Sequence, residues 1–175
     1  MIEVVVARLG LDASTQTYVV VLQEKDGTRL LPIWIGQPEA ESIVMHIHSM
    51  KRPRPLTHDL CRSLIVGLGG TLRRVQITRV EKNTYYAELH LDRGGSIVRI
   101  DARPSDSIAV ALRLDAPIFA AEELLMEQEE ESEEGGGGFN ASEAEATRQA
   151  MELNAEQLKE YLERLGPEDF GKFNL

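Results

Sequence analysis

Apolar residues in the first part of the chain fall into three short runs, 2–9, 17–23 and 30–35, each rich in Val, Ile, Leu or Tyr. That is how half-buried strands read. Three runs of the same kind follow at 71–80, 85–91 and 96–100. The connectors Asp26-Gly27, Asn83-Thr84 and Gly94-Gly95 suit tight hairpins, so antiparallel pairing is expected. After each set the spacing turns helical. A helix from Pro38 to about Ser49 buries Ala40, Ile43, Val44 and Ile47. A second, capped by Thr57, buries Leu60, Cys61, Leu64, Ile65 and Leu68 and stops at Gly69-Gly70. A third, from Asp106 to Leu114, is apolar nearly all round and needs cover on more than one side, from a sheet and a neighbouring subunit.

The two sets enter their helices through one device: Ile35-Gly36-Gln37-Pro38-Glu39-Ala40-Glu41-Ser42-Ile43 and Ala102-Arg103-Pro104-Ser105-Asp106-Ser107-Ile108-Ala109. Proline is tolerated in a first helical turn, where its missing N–H had no partner to lose. The chain thus reads as an α+β fold of duplicated strand-strand-strand-helix units with a mainly antiparallel sheet, plus a C-terminal helical tail. Residues 1–125 form the body and 126–141 an acidic, Gly-rich flexible linker. Residues 142–175 form an amphipathic helical tail whose stripe is Met151, Ala155, Leu158, Leu162 and Leu165.

Charge refines this division. The formal net charge is −10, yet residues 1–125 hold 15 Lys/Arg against 15 Asp/Glu, and 126–175 hold 4 against 14. The body is balanced and the tail is an anion, which is not the basic footprint of a tight nucleic-acid binder. The basic run Lys51-Arg52-Pro53-Arg54-Pro55, with Arg73 and Arg74, can still form a phosphate-binding rim or a solvated loop. The single Cys61 allows no internal disulfide and reads as a small buried residue. No run reaches the roughly 18 apolar residues of a membrane span, and no signal pattern opens the chain. A cytoplasmic protein is expected.

Candidate chemistry gathers at helix starts. Glu39, Glu41 and Asp106 are first-turn acids facing a shared cleft, as ligands of a metal or water, or as groups satisfying backbone N–H donors. Arg103 can clamp a phosphate in bidentate fashion. Asp101 is a weaker candidate. His58 sits at the positive end of a helix dipole, which suits a general base or a metal ligand; Asp59 beside it complements the dipole. His46 and His48, two apart on a helix, point roughly 200° apart and cannot ligate one metal. Trp34 shares a strand face with Pro32 and reads as core or interface.

Several motifs carry a family resemblance. Leu31-Pro32-Ile33-Trp34-Ile35-Gly36 with Glu39-Ala40, then Arg54-Pro55-Leu56-Thr57-His58-Asp59-Leu60, then Asp101-Ala102-Arg103-Pro104-Ser105-Asp106-Ser107-Ile108-Ala109 resemble the bifunctional nuclease (BFN) domain family. Ala116-Pro117-Ile118-Phe119 and Glu122-Glu123-Leu124-Leu125 fit as well. The resemblance spans roughly residues 1–125 and implies cleavage of DNA and RNA. On that basis Mg²⁺ or Mn²⁺ would be held by Glu39, Glu41 and Asp106, with His58 handling a proton and Arg103 stabilising phosphate charge. The other reading is a non-catalytic, oligomeric binding or regulatory module with the same acids as caps. A homo-oligomer, a dimer foremost, is expected in either case. The acidic tail can also fold over the basic loop and compete with nucleic acid.

Overall fold

The computed structural model describes residues 1–12 and 17–127. The linker beyond Glu127 and the tail helix expected at 142–175 lie outside the described residues. Strands β1 (Ile2–Asp12), β2 (Thr17–Glu24) and β3 (Leu30–Ile35) form an antiparallel meander that runs into helix α1 (Gln37–Ile47). After α2 (Thr57–Gly67), a second antiparallel meander of β4 (Gly70–Glu81), β5 (Thr84–Arg93) and β6 (Ser96–Ala102) runs into α3 (Pro104–Arg113). The strand-strand-strand-helix unit therefore occurs twice, with α2 inserted between the copies.

What joins the copies is β7 (Ile118–Ala120), a strand absent from the sequence reading. It pairs antiparallel with β1 and parallel with β4, closing one sheet in the order β3-β2-β1-β7-β4-β5-β6. Three residues behind Pro117 show too little alternation to mark a strand. Both of its edges are hydrogen-bonded, which is why so short a segment holds.

The three helices pack on one face of this sheet. Leu22, Leu31, Ile43, Ile77 and Ile108 are fully buried in a single cluster that draws on both copies. Each such side chain contributes about 1.5–3 kcal/mol relative to exposure. On the opposite face Val19, Val21 and Leu30 form a separate small cluster, and Trp34 is exposed beside it.

Two expectations need correction. In α2 it is Cys61 and Ile65 that pack against the core, whereas Leu60, Leu64 and Leu68 are 54%, 52% and 64% exposed. The leucine repeat marks an apolar stripe, but α2 lies with the neighbouring stripe inward so that His58 enters the interior. In α1, Met45 is buried and Ile47 is exposed. Nor does Thr57 cap α2: Leu56 is the N-cap residue, and its N–H donates to the Asp59 carboxylate at 2.9 Å.

Candidate functional site

Glu39 and Asp106 occupy the third position of α1 and α3, the equivalent place in the two copies. The helices lie side by side, so these acids meet. Arg103, the N-cap residue of α3, stands between them. Its guanidinium donates to both Asp106 oxygens, at 2.8 and 3.1 Å, and to Glu39 Oε1 at 2.8 Å. Gly36, the equivalent N-cap residue of α1, leaves room for Glu39: a Cβ there would overlap the Glu39 carboxylate. Arg103 is 66% exposed and marks the open end of the cluster.

From Asp106 the contacts run inward. The His58 ring lies between Asp106 Oδ1, 3.1 Å from Nε2, and Ser42 Oγ, 2.7 Å from Nδ1. Ser42 Oγ also accepts from Arg113 Nη2 at 3.1 Å. Because the ionised Asp106 carboxylate can only accept, donor–acceptor matching assigns the ring hydrogen to Nε2, and Nδ1 is left to accept the Ser42 hydroxyl hydrogen. Arg113, buried at the last turn of α3, donates further to Ser42 O, Ala109 O and Asp59 Oδ1, the last at 2.6 Å. One polar chain thus links Glu39, Arg103, Asp106, His58, Ser42, Arg113 and Asp59 across all three helices.

The electrostatics follow from these contacts. Burial pushes the Asp106 carboxyl up, but the hydrogen bonds from Arg103 and His58 outweigh it and hold it below the usual range. Asp59 behaves alike: burial raises it, and Arg113 with the Leu56 N–H brings it below the ordinary value. Arg103 is raised by Asp106 first and Glu39 after it, so it stays charged. The connectivity Ser42–His58–Asp106 is that of a nucleophile triad. Ser42 is only 5% exposed, however, so its hydroxyl orients His58 and does not face solvent.

The bifunctional nuclease domain model matches residues 20–133, nearly two-thirds of the chain. The chain belongs to the bifunctional nuclease domain family. Every residue of the polar chain falls within that match. The protein is 40% identical over 168 residues to the uncharacterized protein Rv1829 of Mycobacterium tuberculosis, covering 96% of this chain and 97% of the relative. It is 29% identical over 114 residues to bifunctional nuclease 1 of Oryza sativa subsp. japonica, covering 63% of this chain and 34% of that protein. Over 103 residues it is 31% identical to bifunctional nuclease 2 of Arabidopsis thaliana, covering 57% of this chain and 31% of that protein.

In this BFN-family chain Glu39 and Asp106 come together, but Glu41 does not join them. Glu41 accepts from Gln37, while Glu39 and Asp106 share the Arg103 guanidinium, which takes the place a cation would fill. Among the described residues no three His, Cys, Asp or Glu side chains are arranged to hold a metal ion.

The basic residues divide between two places. Arg52 and Arg54 line a groove of about 480 Å³ between the ends of α1, α2 and α3, with Arg62, Arg113, His46 and Asp59. Lys51 is exposed beside it. Arg73 and Arg74 lie elsewhere, lining a second hollow that the groove does not reach. Asp101 pairs in register with Glu88, away from the cluster. Among the described residues no helix is long and apolar enough to cross a membrane.

Sequence reasoning passed over Ser42 and gave Arg113 no role. Signals for both were present: a serine inside the buried stripe Ala40, Ile43, Val44, and an arginine closing an apolar helix.

Proposed function

We propose that the protein hydrolyses phosphodiester bonds in nucleic acid at the open end of the polar chain. The observation that carries this reading is His58, buried and held at both ring nitrogens between Ser42 and Asp106. A chain that only tied helices together would not need an imidazole with a carboxylate leading from it to solvent. Asp106 takes the proton of the attacking water as the water oxygen bonds to phosphorus. The opposite P–O bond breaks and the departing sugar oxygen takes a proton from solvent, while His58, donating from Nε2, steadies the carboxylate and shares its charge. Arg103 meets the phosphate, where its planar fork stabilises the charge that develops on the equatorial oxygens. The groove lined by Arg52, Arg54 and Arg62 takes neighbouring backbone phosphates. No step uses a 2′-hydroxyl, so one site serves DNA and RNA.

The names of the plant relatives support nuclease chemistry. A second reading, a non-catalytic binding module, has its own support: Arg113 is engaged by three residues of the scaffold, as a structural clamp would be. The deciding assay is cleavage of labelled single- and double-stranded DNA and RNA by wild type, His58→Gln and Asp106→Asn. All three are purified identically and checked for folding by circular dichroism. The nuclease reading expects a loss of roughly 10²–10⁴-fold in each folded variant. Equal rates in all three would place the chemistry outside this cluster, and no cleavage by any would establish the binding module.

A further inference from the structure

We infer that the sheet face turned away from the helices carries a second site, one that binds the phosphate group of a nucleotide. Register pairing sets Arg74 on β4, His90 on β5 and Arg99 on β6 in one row. Directly paired residues project to the same side. This side is not the core side, because Leu89 and Leu91, the neighbours of His90 along β5, pair with Val75 and Leu72 of the core. The hollow there has a volume of about 410 Å³ and is lined by Arg73, Arg74, His90, Ile97, Pro117 and Phe119.

Three features point to a ligand. First, two cations in the row make no ion pair, although Glu88 and Asp101 stand in the next row on the same face. Arg73 is bound to Asp92 at 2.6 Å, but among the described residues neither Arg74 nor Arg99 has an ion-pair or hydrogen-bond partner. They stand on strands roughly 10 Å apart, one on each side of His90. Second, His90 is only 4% exposed, an uncommon position for an imidazole on a sheet face that no helix among the described residues covers. Its Nε2 contacts Glu88 Oε2 at 3.2 Å, which fixes the ring as the floor of the hollow. Third, the rest of the lining is apolar. Phe119 arrives on β7, in register with Gln76, and Pro117 and Ile97 complete the wall. Arg74 stands between His90 and the Phe119 ring at the hollow, and Arg99 lies in the same row on the far side of His90, beyond the lining itself. Guanidiniums beside an aromatic wall suit a phosphate monoester attached to a flat, weakly polar body. A nucleotide has that chemistry, free or as the end of a strand.

This inference does not rest on the proposed cleavage, because it shares no residue with the His58 cluster. The test is calorimetric titration of the full-length protein with adenosine 5′-monophosphate, adenosine and a 5′-phosphorylated dinucleotide. Arg74→Ala, Arg99→Ala and Arg103→Ala are run in parallel. The first two substitutions remove exposed side chains with no ion-pair or hydrogen-bond partner among the described residues, so the fold is retained. Saturable binding that weakens roughly tenfold or more in Arg74→Ala and Arg99→Ala, and is unchanged in Arg103→Ala, supports the site. Binding of the monophosphate assigns it to free nucleotide; binding of the dinucleotide alone assigns it to a strand end. Adenosine binding as tightly as its monophosphate overturns the inference, as does a loss confined to Arg103→Ala or no saturation at millimolar ligand. Amide shifts at Arg74, His90, Ile97 and Phe119 on titration, read by nuclear magnetic resonance, place the ligand independently.

Discussion

Replacing Arg113 by Met removes the guanidinium at the heart of the polar chain while nearly conserving side-chain volume. Four acceptors lose their donor: Asp59 Oδ1, Ala109 O, Ser42 O and Ser42 Oγ. Breaking a fully buried ion pair costs about 3–5 kcal/mol, whereas an exposed pair is worth about 0–1. Here the arginine is buried, with 4% of its side chain exposed, but Asp59 is 39% exposed and rehydrates. The lower end of the buried range, about 3 kcal/mol, is therefore expected. With an unfolding entropy of roughly 2.1 cal/mol/K per residue over a body of about 125 residues, that lowers Tm by about 11 °C. Calorimetric or circular-dichroism melts measure it. The pH dependence tests the partner. The Asp59 pKa is depressed in the folded state, so its contribution is present above the unfolded value near ~3.9 and is lost as pH falls through the lower folded value. The gap between wild type and variant should hold at neutral pH and close in acid below about pH 4. A Tm drop under about 4 °C, or a gap that persists undiminished in acid, would refute this account of the clamp.

Two further outcomes follow from the geometry. Under the proposed cleavage, Glu41→Gln leaves the rate unchanged, because among the described residues the Glu41 carboxylate hydrogen-bonds to Gln37 and not to Arg103; a large loss in that variant would restore the three-carboxylate metal set. Self-association through the exposed stripe Leu60, Leu64, Leu68 predicts a wild-type dimer in sedimentation velocity and a monomer for Leu64→Glu, and a monomeric wild type sinks it.

Much of the fold was legible because its units are local. In the second meander two-residue connectors join β4 to β5 and β5 to β6, Asp26-Gly27 marks the link from β2 to β3, and α1 and α3 each carry in their first turn a proline that cannot sit deeper. The sequence could not show how the meanders meet. That junction is β7, too short for a period and held only by partners distant in the chain, β1 and β4. The orientation of α2 failed for a related reason. Periodicity shows that an apolar stripe exists, but the packing of Cys61, Ile65 and His58 decides which flank turns inward. Glu39, Arg103, Asp106 and His58 could be singled out because helix starts are where charged side chains have an evident role. Ser42 and Arg113 lie mid-helix and at a helix end, where bland explanations suffice until the contacts are seen. The separation of Arg73 and Arg74 from Arg52 and Arg54 is likewise a matter of topology, invisible to composition.

Duplication alone would have made a poor site. Two equivalent helix starts, each with an acid at its third position, would set carboxylates against each other as the helices pack. The copies avoid this by differing at one place, the N-cap. In the second copy it is Arg103, whose guanidinium lies between the acids; in the first it is Gly36, whose missing Cβ leaves the volume that Glu39 occupies. The asymmetry also distinguishes the two acids. Both acids meet Arg103; Glu39 is turned against Gly36, and Asp106 has in addition an oxygen in contact with His58 from α2, the helix that has no counterpart in the repeat. The inserted helix thus converts a symmetric structural junction into a directional chain with a buried end at Arg113 and an open end at Arg103.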